Sequence, residues 1–224
     1  MVDLQTHRFV GAEALLRWDN PTRGTVMPSE FIPIAERAGL IVPIGNWVME
    51  QSIRAASRWQ ARGPQQLNVN VSGGQIRSPE FVEQVRTSLQ ASGLDPRRLT
   101  LEITETMLVE EIESAMGNLA ELRRLGVLIA LDDFGTGYSS LSQLQDIPFS
   151  ELKIDRSFVH RGTSDMTVRT MYNTCLGLAK QLKIPKELII VESNSTDGTR
   201  ELVRAFEGRE GVRVIYESEP RGKG

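Results

Sequence analysis

Acidic and amide residues recur at, or just past, the apolar core of several short segments. Glu13 lies in Gly-Ala-Glu-Ala-Leu-Leu-Arg-Trp, Asn70 in Leu-Asn-Val-Asn-Val-Ser, and Glu102 in Leu-Glu-Ile-Thr-Glu. Asp132 and Asp133 follow Val-Leu-Ile-Ala-Leu, Lys153 lies in Leu-Lys-Ile-Asp, and Glu192 follows Leu-Ile-Ile-Val. A charge inside a buried strand costs several kcal/mol unless it is paired or bound to metal. One such residue is noise, but several in separate segments suggest convergence on one site. Carboxylate and amide oxygens are hard ligands that suit Mg²⁺, Mn²⁺ or Ca²⁺ better than zinc. Only two histidines, His7 and His160, are present, so an imidazole-based site has little to work with. Adjacent Asp132 and Asp133 could bridge two ions, as two-metal phosphoryl transfer requires. Lys153 could orient a water or stabilise phosphate charge. Taken singly, an Asp-Asp pair after a strand is more often a cap or a turn, and a lone strand Glu is usually solvent-facing.

Short apolar runs alternate with amphipathic segments. The pattern predicts strands at 9–18, 67–71, 99–104, 127–131, 152–154, 188–191 and 212–216. It predicts helices at 29–38, 43–62, 79–91, 110–125, 139–145, 164–182 and 197–207. Ser78 as N-cap and Pro79 in the first turn open the third helix, and Gly126 closes the fourth. Strands alternating with helices imply an α/β fold with a parallel sheet, either a β/α barrel or an open doubly wound sheet. Both place a site at the carboxyl ends of the strands.

The ordered motifs Glu13-Ala14-Leu15-Leu16-Arg17-Trp18, Pro28 to Ile41, Asn68-Val-Asn-Val-Ser72, Leu101-Glu-Ile-Thr-Glu105, Asp132-Asp-Phe-Gly-Thr-Gly-Tyr-Ser-Ser140 and Leu152-Lys-Ile-Asp-Arg156 resemble the EAL domain family. Those phosphodiesterases open cyclic di-GMP, and the resemblance runs over about residues 2–184. It implies a TIM-like (βα)8 barrel with one antiparallel strand and hydrolysis of one phosphodiester to linear pGpG by two Mg²⁺ or Mn²⁺ ions. By matching motif, Glu13, Asn70, Glu102 and Asp132 resemble the metal ligands, with Asp133 bridging or binding the second ion. Lys153 resembles the contact to the catalytic water, and Glu105 the anchor of the loop after Asp132-Asp133. Leu15 and Arg17 resemble substrate contacts, with Arg17 on a phosphate. Gly135 and Gly137 give loop 134–140 the freedom to close over the site.

The chain departs from the family pattern twice. It begins after the family's first strand, which leaves one barrel position without a sequence to fill it. Past Ile184, Pro185 to Val203 resembles the strand–loop–helix near the start of family 2 glycosyltransferases, and Pro220-Arg-Gly-Lys-Gly224 fits the same resemblance. The rest of such a transferase is absent, so sugar transfer is not expected. We read residues 1–184 as an EAL-like barrel segment and 185–224 as a β-α-β segment completing the same barrel, in a chimeric chain. Glu192 would then substitute for the family's ligand on the seventh strand, or point elsewhere as a leftover nucleotide-site residue. Truncation would weaken turnover. A catalytically silent cyclic di-GMP-binding module, or a purely structural domain pairing through an open edge as a homodimer, stays open as an alternative.

Composition narrows the partners. The 224 residues carry 26 basic and 29 acidic side chains, a formal charge of −3. No basic excess exists to displace counterions, so nucleic acid polymers are not expected partners. The single cysteine, Cys175, cannot form an internal disulfide. No apolar run approaches the ~18 residues that span a bilayer, and no signal-peptide stretch opens the chain. A cytoplasmic protein without membrane contact is the expectation.

Overall fold

The structure is a computed structural model, and it describes residues 1, 9–59, 65–134, 149–154, 188–192, 204, 207 and 212–216. The chain divides into two compact units, residues 1–139 with 146–153, and residues 140–145 with 154–224.

The first unit holds a five-stranded sheet. Its strands are β1 (Gly11–Ala14), β4 (Gln66–Asn70), β5 (Leu99–Thr104), β6 (Leu128–Phe134) and β7 (Glu151–Ile154), in the order β1-β4-β5-β6-β7. The pairings β1–β4, β4–β5 and β5–β6 are all parallel. Sequence alternation gives the two faces of this sheet different chemistry. Leu67, Val69, Leu99, Leu101, Ile103, Ile129 and Leu131 share one face and are buried. The helices α2 (Ile41–Ser57) and α5 (Glu105–Arg124) pack against the sheet, supplying Ile53, Leu119 and Leu122 to the core. Each such side chain contributes about 1.5–3 kcal/mol on burial. The opposite face carries Asn68, Asn70, Glu102 and Asp132.

Local chemistry explains where elements start and stop. The predicted strand 9–18 is broken in two: β1 ends at Ala14, and β2 (Trp18–Asn20) pairs antiparallel with β3 (Gly24–Val26). The turn between them is made by Asn20, whose side-chain oxygen accepts from the Thr22 and Arg23 backbone N–H groups at 3.0 and 3.1 Å. The Trp18 ring stands edge-on to Phe31 at 5.7 Å, which ties this hairpin to α1 (Pro28–Arg37). The predicted helix 43–62 is α2, ending at Ser57. A short helix that the periodicity does not reveal, α3 (Gly73–Arg77), follows β4 and is opened by a capping box between Ser72 and Gln75.

Ser78 does not cap the next helix. The helix α4 (Phe81–Ser92) begins later, with Glu80 at its N-cap, and the Ser78 hydroxyl donates to Glu80 Oε2 at 2.6 Å. The helix α5 starts five residues before the predicted 110, because Thr104 accepts from the Met107 N–H and so caps it at the end of β5. Gly126 follows α5 at φ 96°, a conformation open to glycine. The strand β6 runs past the predicted Leu131 and includes both aspartates.

The second unit contains the parallel pair β8 (Leu188–Glu192) and β9 (Val212–Tyr216), in the register Leu188 to Val212 through Glu192 to Tyr216. The predicted helices 139–145 and 164–182, and all but two residues of 197–207, lie outside the described residues. Among the described residues no helix is long and apolar enough to cross a membrane.

Candidate functional site

Strand register decides which side chains can meet. Glu13 on β1 stands opposite Asn68 on β4, Asn70 opposite Glu102 on β5, and Glu102 opposite Ala130 on β6. Asp132 is two residues beyond Ala130. Side chains two apart share a face, so Glu13, Asn68, Asn70, Glu102 and Asp132 all project from the same side of the sheet.

Three contacts organise them. Asn70 Nδ2 donates to Glu13 Oε1 at 2.9 Å. Glu102 Oε1 accepts from Asn68 Nδ2 at 2.7 Å and also takes the Lys153 ammonium in an ion pair. The Glu102 side chain is fully buried, whereas Lys153 keeps 27% of its side chain exposed. Glu102 Oε2 and Asn68 Oδ1 are buried and have no hydrogen-bond partner among the described residues.

The electrostatics follow from burial and neighbours. Desolvation pushes the Glu102 carboxyl above the usual carboxylate range, against the hydrogen bond and charge of Lys153 and the amide of Asn68. Burial alone would pull Lys153 down. The hydrogen bond and charge of Glu102, then the charges of Asp132 and Glu13, outweigh it and hold the ammonium above the ordinary lysine value. One cation therefore feels three carboxylates from three different strands.

The remaining predicted residues fall around this centre. Asp132 Oδ1 accepts from the Asp133 backbone N–H at 2.9 Å. Asp133 sits at φ 54°, a left-handed conformation that non-glycine residues adopt rarely and Asp more readily than most. Glu105, the first residue of α5, is buried. Leu15 and Arg17 follow β1 and are exposed, and Arg17 Nη1 donates to the Leu16 carbonyl oxygen at 2.9 Å. Glu192 ends β8 in the other compact unit, and its side chain lies outside the described residues, as does the loop after Phe134. Asn68 was legible in the sequence as the residue two before Asn70 on the same strand face, but spacing alone attached no chemistry to it.

The donor set suits a hard divalent cation. Its chemistry is carboxylate and amide oxygen, and the orphaned Glu102 Oε2 is a buried acceptor that positive charge would satisfy. Among the described residues, no three His, Cys, Asp or Glu side chains gather closely enough to enclose an ion by themselves. The oxygens fit such an ion in kind.

The family model for the EAL domain matches residues 1–195. The model for Glycosyl transferase family 2 matches residues 169–224. A Pseudomonas aeruginosa protein named Cyclic di-GMP phosphodiesterase is 35% identical over 211 residues, which is 94% of this chain and 35% of that protein. The solved structure of PaMucR phosphodiesterase in complex with c-di-GMP is 35% identical, with a TM-score of 0.76 over 88% of this chain and 80% of that one. The structure of the EAL enzyme Bd1971 with cAMP and cyclic-di-GMP bound is 31% identical, with a TM-score of 0.78 over 93% of this chain and 57% of that one. The chain spans between 19% and 35% of the length of the curated relatives compared.

Proposed function

This chain belongs to the EAL domain family, and from that premise we propose that it hydrolyses one phosphodiester of cyclic di-GMP to linear pGpG at a divalent-cation site. The observation that carries the reading is the Lys153 ammonium, which pairs with Glu102 and feels the charges of Asp132 and Glu13. Glu13, Asn70, Glu102 and Asp132 would hold one Mg²⁺ or Mn²⁺, and Asp133 would reach a second. Such ions polarise a phosphate oxygen and make bound water acidic enough to attack at neutral pH.

This chain's own groups supply the rest. The Glu102 carboxylate holds the Lys153 ammonium above the ordinary lysine value, which places it as a donor and a positive charge. The ammonium holds the attacking water in place and offsets charge on the phosphate. Arg17, exposed past the end of β1, offers a planar fork to the substrate phosphate. Leu15 beside it lays an aliphatic surface under a base. Glu105, buried where α5 begins, anchors the segment that follows Asp133.

The test is direct. The full chain, incubated with cyclic di-GMP and Mn²⁺, should release pGpG by chromatography, and Glu13→Ala should not. No product from a chain that unfolds cooperatively would reject the reading, as would equal product from the variant.

A further inference from the structure

Asn68 belongs to none of the roles assigned above. It is 2% exposed and lies on β4 at the level of Glu13 on one neighbouring strand and Thr100 on the other. Its Nδ2 donates to Glu102 Oε1, the same oxygen that takes the Lys153 ammonium. Only the NH₂ group can face a carboxylate oxygen, so this bond fixes the amide's orientation. Asn68 Oδ1 is thereby turned away from Glu102 Oε1. It and Glu102 Oε2 are the two buried acceptors of the cluster with no partner among the described residues. Buried acceptors require a donor or a positive charge, and these two come from side chains bonded to each other.

We propose that Asn68 is a positioning residue for the cation site. Its amide and the Lys153 ammonium together saturate Glu102 Oε1, so that Glu102 offers Oε2 alone to the cation, and Asn68 Oδ1 accepts a hydrogen bond from a water on that cation. The inference rests on the divalent-cation reading of the site. A carboxylate with both oxygens unengaged can rotate, or chelate an ion with both. Pinning one oxygen from two sides removes that choice. Outer partners of this kind orient ligands without touching the ion.

Mn²⁺ titration followed by the electron paramagnetic resonance of the free ion reads this without turnover. The full chain is compared with Asn68→Leu, Glu102→Gln and the double variant, with metal-free melting curves showing that each is folded. Asn68→Leu should weaken Mn²⁺ binding about 10- to 100-fold. In the Glu102→Gln background the same substitution should cost much less, because there only the hydrogen bond from Oδ1 to the cation's water remains to be lost. If Asn68→Leu does not fold, Asn68→Ser carries the same expectation. Wild-type affinity in a folded Asn68 variant, or independent losses that simply add, would overturn the proposal and leave the cation site standing. A wild-type chain that binds no Mn²⁺ would overturn the cation site, and the proposal with it.

Discussion

Lys153 on β7 and Glu102 on β5, 51 residues apart in the chain, form an ion pair in which the carboxylate is fully buried. The lysine reaches it from a partly exposed position, and Asn68 donates to the same oxygen from the next strand. Desolvating a carboxylate to this degree is tolerated because one full charge and one amide dipole meet it. The pair thus ties two non-adjacent strands together and sets the charge at the centre of the candidate site.

Removing one partner should cost more than removing both. Lys153→Met leaves the Glu102 carboxylate buried with only the amide of Asn68, and we expect a loss of about 3 kcal/mol. The double variant Lys153→Met/Glu102→Gln should recover most of that. Urea unfolding in the presence of chelator measures both. Equal stability of the single and double variants would contradict the ion pair as described.

Glu13→Gln separates charge from shape. Glu13 is exposed, and a glutamine oxygen can still accept from Asn70 Nδ2 in place of the present 2.9 Å contact. Stability should change by less than about 0.5 kcal/mol. Metal-dependent turnover should fall at least about a hundredfold, the equivalent of ~3 kcal/mol of lost charge stabilisation. A melting temperature and a steady-state rate on one preparation decide it, and retained turnover would remove Glu13 from the ligand set.

Two glycine-to-alanine changes should move stability in opposite directions. A Cβ on Gly11 would overlap the Gln66 carbonyl oxygen and approach Gln66 Cβ to 2.9 Å. The first of these is backbone and cannot rotate away, so β1 must shift from β4 and carry Glu13 with it. Overpacking of this kind costs about 1–3 kcal/mol. A Cβ on Gly117, inside α5, meets nothing within 4 Å. Gly117→Ala should therefore stabilise by roughly 0.5–1 kcal/mol through helix propensity. Thermal melts of the two variants check the contrast.

Asp95 predicts a pH effect of known sign. The Arg97 side chain, and then its backbone N–H, hold the Asp95 carboxyl down at about 2. This pair introduces the turn Pro96–Arg98 that leads into β5. A carboxyl whose folded value is depressed contributes stability above its unfolded value, about 4, and loses it as pH falls through its folded value. The wild-type advantage over Asp95→Asn should be constant above pH ~4 and vanish near pH ~2. It should also be small, because both side chains are solvent-exposed. An advantage that persists unchanged at the acid end would refute the assignment.

Much of the sheet was readable because its alternation is local. In Gln66–Asn70 and Leu99–Thr104, apolar residues at every second position can only mean one packed face and one different face. The polar residues left over on that second face, Asn70, Glu102 and Asp132, were already the candidate ligands. Element boundaries were less legible because side chains several residues away set them. The Asn20 turn splits the first predicted strand, and Thr104 starts α5 within the residues that close β5.

The sequence by itself determined the family, the alternating faces and the identity of the acidic residues, because each depends on residue type and spacing within one segment. Only the tertiary structure decided the partners. That Lys153 meets Glu102, that Asn68 meets the same oxygen, and that Asn70 turns instead to Glu13 all depend on strand order and register. A shift of one residue between β4 and β5 would turn Asn68 and Asn70 to the face opposite Glu102. Register is fixed by the packing of the whole sheet against its helices, so no single motif contains it.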